Sequence, residues 1–360
     1  RKKLRILLKV REKILLRKKS LLIIKILNKK QMKTLKGLDL KDKRVVLRAE
    51  FNVPTSQGKI DDDTRIKKAV LTINHILSQE TKALLVIAHI GRPGGKRDEE
   101  FSNKIVQGRL QELTKREVEI IEDVGEIDAV LKSADSNKIY LLENIRFWEE
   151  EEGGDEAFGK KIGEPFDVYV NDCFSTSHRA HASFVCVPKY TREKCMGLLF
   201  EEEYSNLSKV KNDPEHPAVM VIGGAKIATK LPVIENMIRI YDKVLVGGRI
   251  ANEALDEKLD LGEKVLLPTD FNPKGKEDER LDIGDETIKE YIKEVENAKT
   301  IVWNGPLGKF EDEEASEGTK LVCRAIAQNE EALQVIGGGE TLEAVSEFSD
   351  FSHFDYVSMS

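Results

Sequence analysis

The chain has 360 residues, which suggests about two domains. It is 40% hydrophobic and 34% charged, the balance of a soluble globular protein with room for substantial cores. The net charge of −6 is uneven: residues 1–31 hold 13 Lys/Arg against one acid, Glu12, so the other 329 residues carry −18, which argues against general nucleic-acid binding by the body of the chain.

The four cysteines, Cys173, Cys186, Cys195 and Cys323, have neither CxxC nor zinc-finger spacing. Reduced thiols in a cytosol are the simplest reading. Residues 1–31 (RKKLRILLKVREKILLRKKSLLIIKILNKKQ) lack Gly, Pro and aromatic residues, and Leu4, Leu7, Leu8, Ile14 and Leu15 partly follow helical spacing. A basic amphipathic helix of this kind can lie on an anionic membrane or bind nucleic acid. Its apolar runs are too short for a membrane span, and charges interrupt any secretory core. The expectation is a basic extension outside the fold, with the first domain starting at Met32.

Residues 32–198 are expected to form the first domain. Apolar runs at 45–47, 83–88, 139–142 and 168–170 alternate with helical patterns such as 64–77 and 103–113. That alternation predicts βαβ units and a parallel sheet whose strand C-terminal ends share one edge. Ligands in open α/β sheets bind beyond that edge. The segments following the strands carry Glu50 and Asn52, then His89 and Arg92, then Arg146, then Arg179 within HRAH at 178–181; Arg65 opens the first helix. Arginine's planar fork matches phosphate or carboxylate oxygens, so four arginines on one rim point to an anionic ligand.

Residues 199–217 read as an acidic linker helix ending in a Pro-bounded turn. The alternation then resumes, with strands at 219–222, 243–246, 264–267, 300–303 and 333–336. Most end in glycine: Gly223-Gly224, Gly247-Gly248, Asn304-Gly305 and Gly337-Gly338-Gly339 followed by Glu340 and Thr341. Glycine permits close backbone approach to a nucleotide, and helix starts attract phosphate. VMVIGGAKIATK at 219–230 is the central example, with Lys226 and Lys230 spaced to share one helix face. No GxxxxGK[ST], HRD…DFG or helix-opening GxGxxG is present, which argues against P-loop NTPases, protein kinases and dinucleotide enzymes.

Taken together, RAEFNVP (48–54), DDDTRI (61–66), HIGRP (89–93), ENIRF (143–147), VNDCFSTSHRAH (170–181), VIGGAKIATK (221–230), WNGPLGKFE (303–311) and VIGGGET (335–341) resemble phosphoglycerate kinases, in the family's order. The resemblance implies two Rossmann-like, three-layer αβα domains with parallel sheets, joined by a hinge helix: a 3-phosphoglycerate-binding domain at 32–198 and a nucleotide-binding domain at 218–345. It implies reversible phosphoryl transfer between 1,3-bisphosphoglycerate and ADP with Mg²⁺, in a cytoplasmic monomer. Carried over, Glu50, Asn52, Arg65, His89, Arg92, Arg146 and Arg179 bind the glycerate. Lys226, Lys230, Asn304, Glu311, Gly338, Gly339, Glu340 and Thr341 contact ATP or ADP, with Glu340 holding the metal through the nucleotide.

Arg65, Lys226, Gly338 and Gly339 are expected to hold the phosphoryl group in transfer. Glu50 and Glu340 stand where the family usually has Asp, and Ser175-Thr176-Ser177 replaces a Gly-Thr-Ala run. Residues 346–360 are expected to begin a truncated return segment. The alternative reading is a truncated or inactive two-lobed protein that binds nucleotide or an anionic metabolite without turnover. A dehydrogenase lacks its fingerprint, and an interaction protein would act through residues 1–31.

Overall fold

The computed structural model describes residues 33–273 and 279–358; the basic segment 1–31 lies outside them. The chain divides into two compact units between Glu201 and Glu202. In the first unit the strands are β1 (Arg44–Arg48), a short hairpin of β2 (Thr55–Ser56) and β3 (Lys59–Ile60), then β4 (Ala83–Ile87), β5 (Glu117–Ile121), β6 (Lys138–Leu142), β7 (Val168–Asn171) and β8 (Glu193–Met196). Apart from the hairpin they form one six-stranded sheet in the order β5-β6-β4-β1-β7-β8, parallel throughout.

Strand alternation explains the three layers. Val45 and Leu47 of β1 join one core, packed with Ile66, Ile73 and Ile76 of the helix Thr64–Leu77; Val46 joins the other, packed with Ile127, Phe158 and Ile162. A sheet buried on both faces needs apolar residues at consecutive positions, which is what VVL and ALLVI supply.

The second unit repeats the plan. Its strands are β9 (Ala218–Ile222), β10 (Lys243–Val246), β11 (Val265–Leu266), the pair β12 (Phe271–Asn272) and β13 (Asp282–Ile283), β14 (Thr300–Asn304), β15 (Leu333–Gly337) and β16 (Tyr356–Ser358). The main sheet runs β11-β10-β9-β14-β15-β16, again parallel, while β12 and β13 pair antiparallel. Val219, Val221, Ile301 and Trp303 face one core; Met220, Ile222, Val244 and Val246 face the other. Two α/β units with parallel sheets are thus the architecture expected from the alternating pattern.

Three details differ from the sequence expectations. The boundary at 345 falls inside the helix Gly339–Phe348, and residues beyond it supply β16, which pairs with β15. The helix expected at 199–217 spans Leu198–Asn212, and the division between the units falls within it. The strand expected at 264–267 shortens to two residues at the sheet edge.

Candidate active site

In both sheets the first strand lies centrally and the chain completes one side before the other. The crevice this leaves at the strand C-terminal ends is the usual ligand position in such sheets. In the first unit it lies where β1 and β7 end.

Glu50, just past β1, is buried there. Its Oε2 accepts from Cys173 Sγ at 2.9 Å and from Ser175 Oγ, both past β7. Arg65 reaches the same place: its Nη1 donates to the Asn52 carbonyl and lies 3.7 Å from Glu50 Oε1. Asn52 Oδ1 accepts from the Gly91 N–H at 2.8 Å, and Arg146 Nη1 donates to the Gly91 carbonyl at 2.7 Å. The loops after β1, β4 and β6 are thereby laced together. Arg92 is exposed on the loop after β4, and Arg179 is half-buried after β7.

Arg146 is 3% exposed, yet its Nε and Nη2 have no hydrogen-bond partner; Glu152 Oε1 lies 3.5 Å from Nε. Burial, then the nearby Arg48 charge, lowers its pKa from the ordinary arginine value. His89 is 1% exposed, with Nδ1 facing Arg48 Nη2 at 2.9 Å and Nε2 without a partner. Burial first, then Arg48, Arg146 and Arg65, hold it well below the usual histidine range. His181 is pushed down to about 4, by burial first and Arg146 next. Both rings are therefore neutral near pH 7. Arg48, Arg65, His89, Arg146, Arg179 and His181 form one electrostatic neighbourhood.

In the second unit the crevice lies between β9 and β14. A cleft there is lined by Gly224, Ala225, Gly248, Arg249, Arg280, Pro306, Lys309, Glu311 and Glu340, among others. Gly338 precedes the helix Gly339–Phe348 at φ 98°, a conformation suited to glycine. An added Cβ there would lie 2.7 Å from Asn304 Nδ2. Asn304 ties the corner together: Nδ2 donates to the Gly337 carbonyl at 2.7 Å, and Oδ1 accepts from Lys230 Nζ. Thr341 Oγ1, buried, accepts from the Gly305 N–H at 2.6 Å. Gly339 and Glu340 are exposed in the helix's first turn.

The model of the phosphoglycerate kinase family matches residues 35–272 and 260–360. The chain belongs to the phosphoglycerate kinase family. A phosphoglycerate kinase from Hydrogenobaculum sp. is 38% identical over 91% of this chain and 93% of its own length. One from Thermosipho africanus is also 38% identical, over 90% and 92% respectively. The solved phosphoglycerate kinase from Coxiella burnetii superposes with a TM-score of 0.81 at 32% identity, covering 91% of this chain and 94% of that one. The protein is thus a kinase, a phosphotransferase.

Two readings of the residues change once this kinase's geometry is seen. Lys226 and Lys230 do not share a helix face. Lys226 is the exposed residue before the helix Ile227–Met237, with extended backbone at φ −144°, and the first helical N–H, of Ile227, already donates to Glu253 Oε2 at 2.8 Å. Lys230 is half-buried, and burial lowers its pKa against the pull of Glu340. Gly223, expected to let backbone approach a ligand, instead lets two strand ends meet: a Cβ there would lie 1.8 Å from the Pro306 carbonyl oxygen. Sequence reasoning missed Arg48, Glu143, Glu151 and Arg280, because isolated charged residues give no sign of being buried or of lining a cleft.

Proposed function

We propose that the chain catalyses reversible phosphoryl transfer between 1,3-bisphosphoglycerate and ADP, giving 3-phosphoglycerate and ATP, with a carboxyl group as acceptor. The observation carrying this reading, beyond family membership, is the buried and under-partnered guanidinium of Arg146 among further cationic groups. A charged donor left unmatched in the interior is costly, and an incoming phosphate or carboxylate supplies its acceptors. Glu50 and Asn52 suit the same small, oxygen-rich ligand.

On this reading the first unit's rim orients the acceptor: Arg65, Arg92, Arg146 and Arg179 match its negative charges, and His89 and Glu50 meet its remaining polar atoms. The second unit's cleft takes the nucleotide, with Lys226, Lys230, Asn304, Glu311, Thr341 and the backbone at Gly338 and Gly339 around the phosphates. The acceptor carboxylate is already ionised at neutral pH, so no general base is required. Catalysis rests on alignment and neutralised charge: Arg65, Lys226 and the amides of Gly338 and Gly339 are assigned to the oxygens of the group in transfer. Because acceptor and nucleotide are assigned to separate units, turnover on this reading includes a closure step.

The exposed carboxylate of Glu340 lines the cleft, which fits Mg²⁺, an ion that takes one or two carboxylates and substrate phosphates. When bound, it would neutralise phosphate charge. Among the described residues no helix is long and apolar enough to cross a membrane; the reading expects a cytoplasmic monomer. Calorimetric titration of 3-phosphoglycerate tests the acceptor site. The wild type is expected to bind, and Arg146→Met to bind about 10- to 100-fold more weakly. Equal affinities would remove Arg146 from the site.

A further inference from the structure

Arg48, the last residue of β1, is fully buried. Its guanidinium can only donate. Nε donates to Ser183 Oγ at 3.1 Å, Nη1 to the Ala49 carbonyl at 2.7 Å, and Nη2 faces His89 Nδ1 at 2.9 Å. Its Cζ sits 4.8 Å over the Phe184 ring. Ser183 passes the contact on: Oγ donates to Glu151 Oε1 at 2.6 Å, and its N–H donates to Oε2 at 2.8 Å. The buried Glu151 carboxylate thus balances the Arg48 charge through one hydroxyl.

A donor at 2.9 Å requires His89 Nδ1 to be the bare nitrogen, so the ring proton sits on Nε2. Nε2 is buried and has no partner. The ligand atoms of His89, Glu50 and Cys173 lie within 4.8 Å of one another, a spacing that would suit a metal ion. Neither ring nitrogen is free for that use: Nδ1 already faces the donor Arg48, and a bare Nε2 would turn Nδ1–H toward that same donor. Cys173 Sγ also spends its proton on Glu50 Oε2 at 2.9 Å.

We propose that Arg48, braced by Ser183 and Glu151, is a positioning residue that locks His89 as the Nε2–H tautomer, so the rim offers an anionic acceptor a neutral, pH-insensitive donor. The proposal rests on the reading that this rim holds the acceptor. The ionisable groups around the ring are Arg48 from β1, Arg65 from the helix Thr64–Leu77, Arg146 after β6, His181 after β7, and Glu50 and Cys173. Of these, the three arginines and His181 oppose a second proton on His89, while a carboxylate such as Glu50 would favour it.

The test pairs a spectrum with kinetics. Nitrogen-15 spectra of histidine-labelled wild type, with His89 assigned through His89→Gln, are expected to show Nε2–H without titration from about pH 5.5 to about 8. In Arg48→Met combined with Glu151→Gln, which removes both buried charges together, the KM for 3-phosphoglycerate is expected to rise about 10-fold. The kcat should change less, and the KM should become pH-dependent near pH 6.5, about the ordinary histidine value. Adding His89→Gln, whose amide N–H replaces Nε2–H and does not titrate, is expected to remove that pH dependence.

A wild-type His89 protonated on Nδ1, or titrating near its ordinary value, overturns the proposal. So does a folded Arg48 variant with wild-type KM and pH profile. If the variant fails to fold, the wild-type spectrum decides alone. Absence of 3-phosphoglycerate-dependent turnover in the wild type would sink the acceptor reading, whereas the tautomer is judged separately by the spectrum.

Discussion

Arg65 shows how one side chain is prepared before any ligand arrives. Its Nη1 is anchored on the Asn52 carbonyl and lies 3.7 Å from Glu50 Oε1, so the guanidinium is oriented without being enclosed. Lys226, exposed at a helix start, is the cation proposed for the corresponding role in the second unit. If both act on the group in transfer, Arg65→Ala and Lys226→Ala should each lower kcat about 100- to 1,000-fold, with smaller changes in KM. A variant with unchanged kcat would lose that assignment. The placing of Arg92, Arg146 and Arg179 after successive strands was legible in the sequence, because residues that follow parallel strands gather on one edge. The rim's buried framework was not. Glu143 accepts from the backbone N–H groups of Asn103 and Asn144 at 2.6 and 2.7 Å, and Arg48 and Glu151 lie wholly inside, yet each reads in sequence as an ordinary surface charge.

At the scale of elements, glycines separate into two kinds. Gly223 ends β9 against the end of β14, where a Cβ would strike backbone, while a Cβ on Gly339 would meet nothing within 4 Å. Gly223→Ala should therefore destabilise by roughly 3 kcal/mol. Gly339→Ala should stay within about 1 kcal/mol of wild type or stabilise slightly. Urea unfolding of the two variants checks this, and equal losses would refute the distinction. Periodicity found the central strands because they are apolar on both faces. It passed over β5 (EVEII), β8 (EKCM) and β16 (YVS), which have fewer consecutive apolar residues and lie at or next to the sheet edges. The Lys226–Lys230 reading failed because helical spacing was applied one residue before the helix begins.

Across the whole molecule, the two units should answer acid differently. In the first, His181 is held down to about 4 and His89 is also depressed, so the unfolded chain takes up protons first as pH falls below 6.5. Their contribution to stability is present above that pH and is lost on acidification toward 4. The raised pKa of buried Glu151 works the other way. In the second unit Asp282 is pushed up to about 7 by burial, against backbone hydrogen bonds from Gly318 and Ile283. The folded state keeps that proton longer, so stability falls as pH rises from about 4 through 7. The chain's two tryptophans, Trp148 and Trp303, lie one in each unit, so single-tryptophan variants read each transition separately. His181→Gln should flatten the slope reported by Trp148, and Asp282→Asn the opposite slope reported by Trp303. Unchanged slopes would show that these groups do not control the response.

The proposed function joins an arginine-rimmed acceptor site and a glycine-rich nucleotide cleft in a single transfer. The most direct measurement is a coupled assay of the purified protein with ATP, Mg²⁺ and 3-phosphoglycerate. ADP formation that requires 3-phosphoglycerate, and that falls in Arg65→Ala and Lys226→Ala, is the predicted result. Nucleotide binding without 3-phosphoglycerate-dependent ADP formation would contradict it.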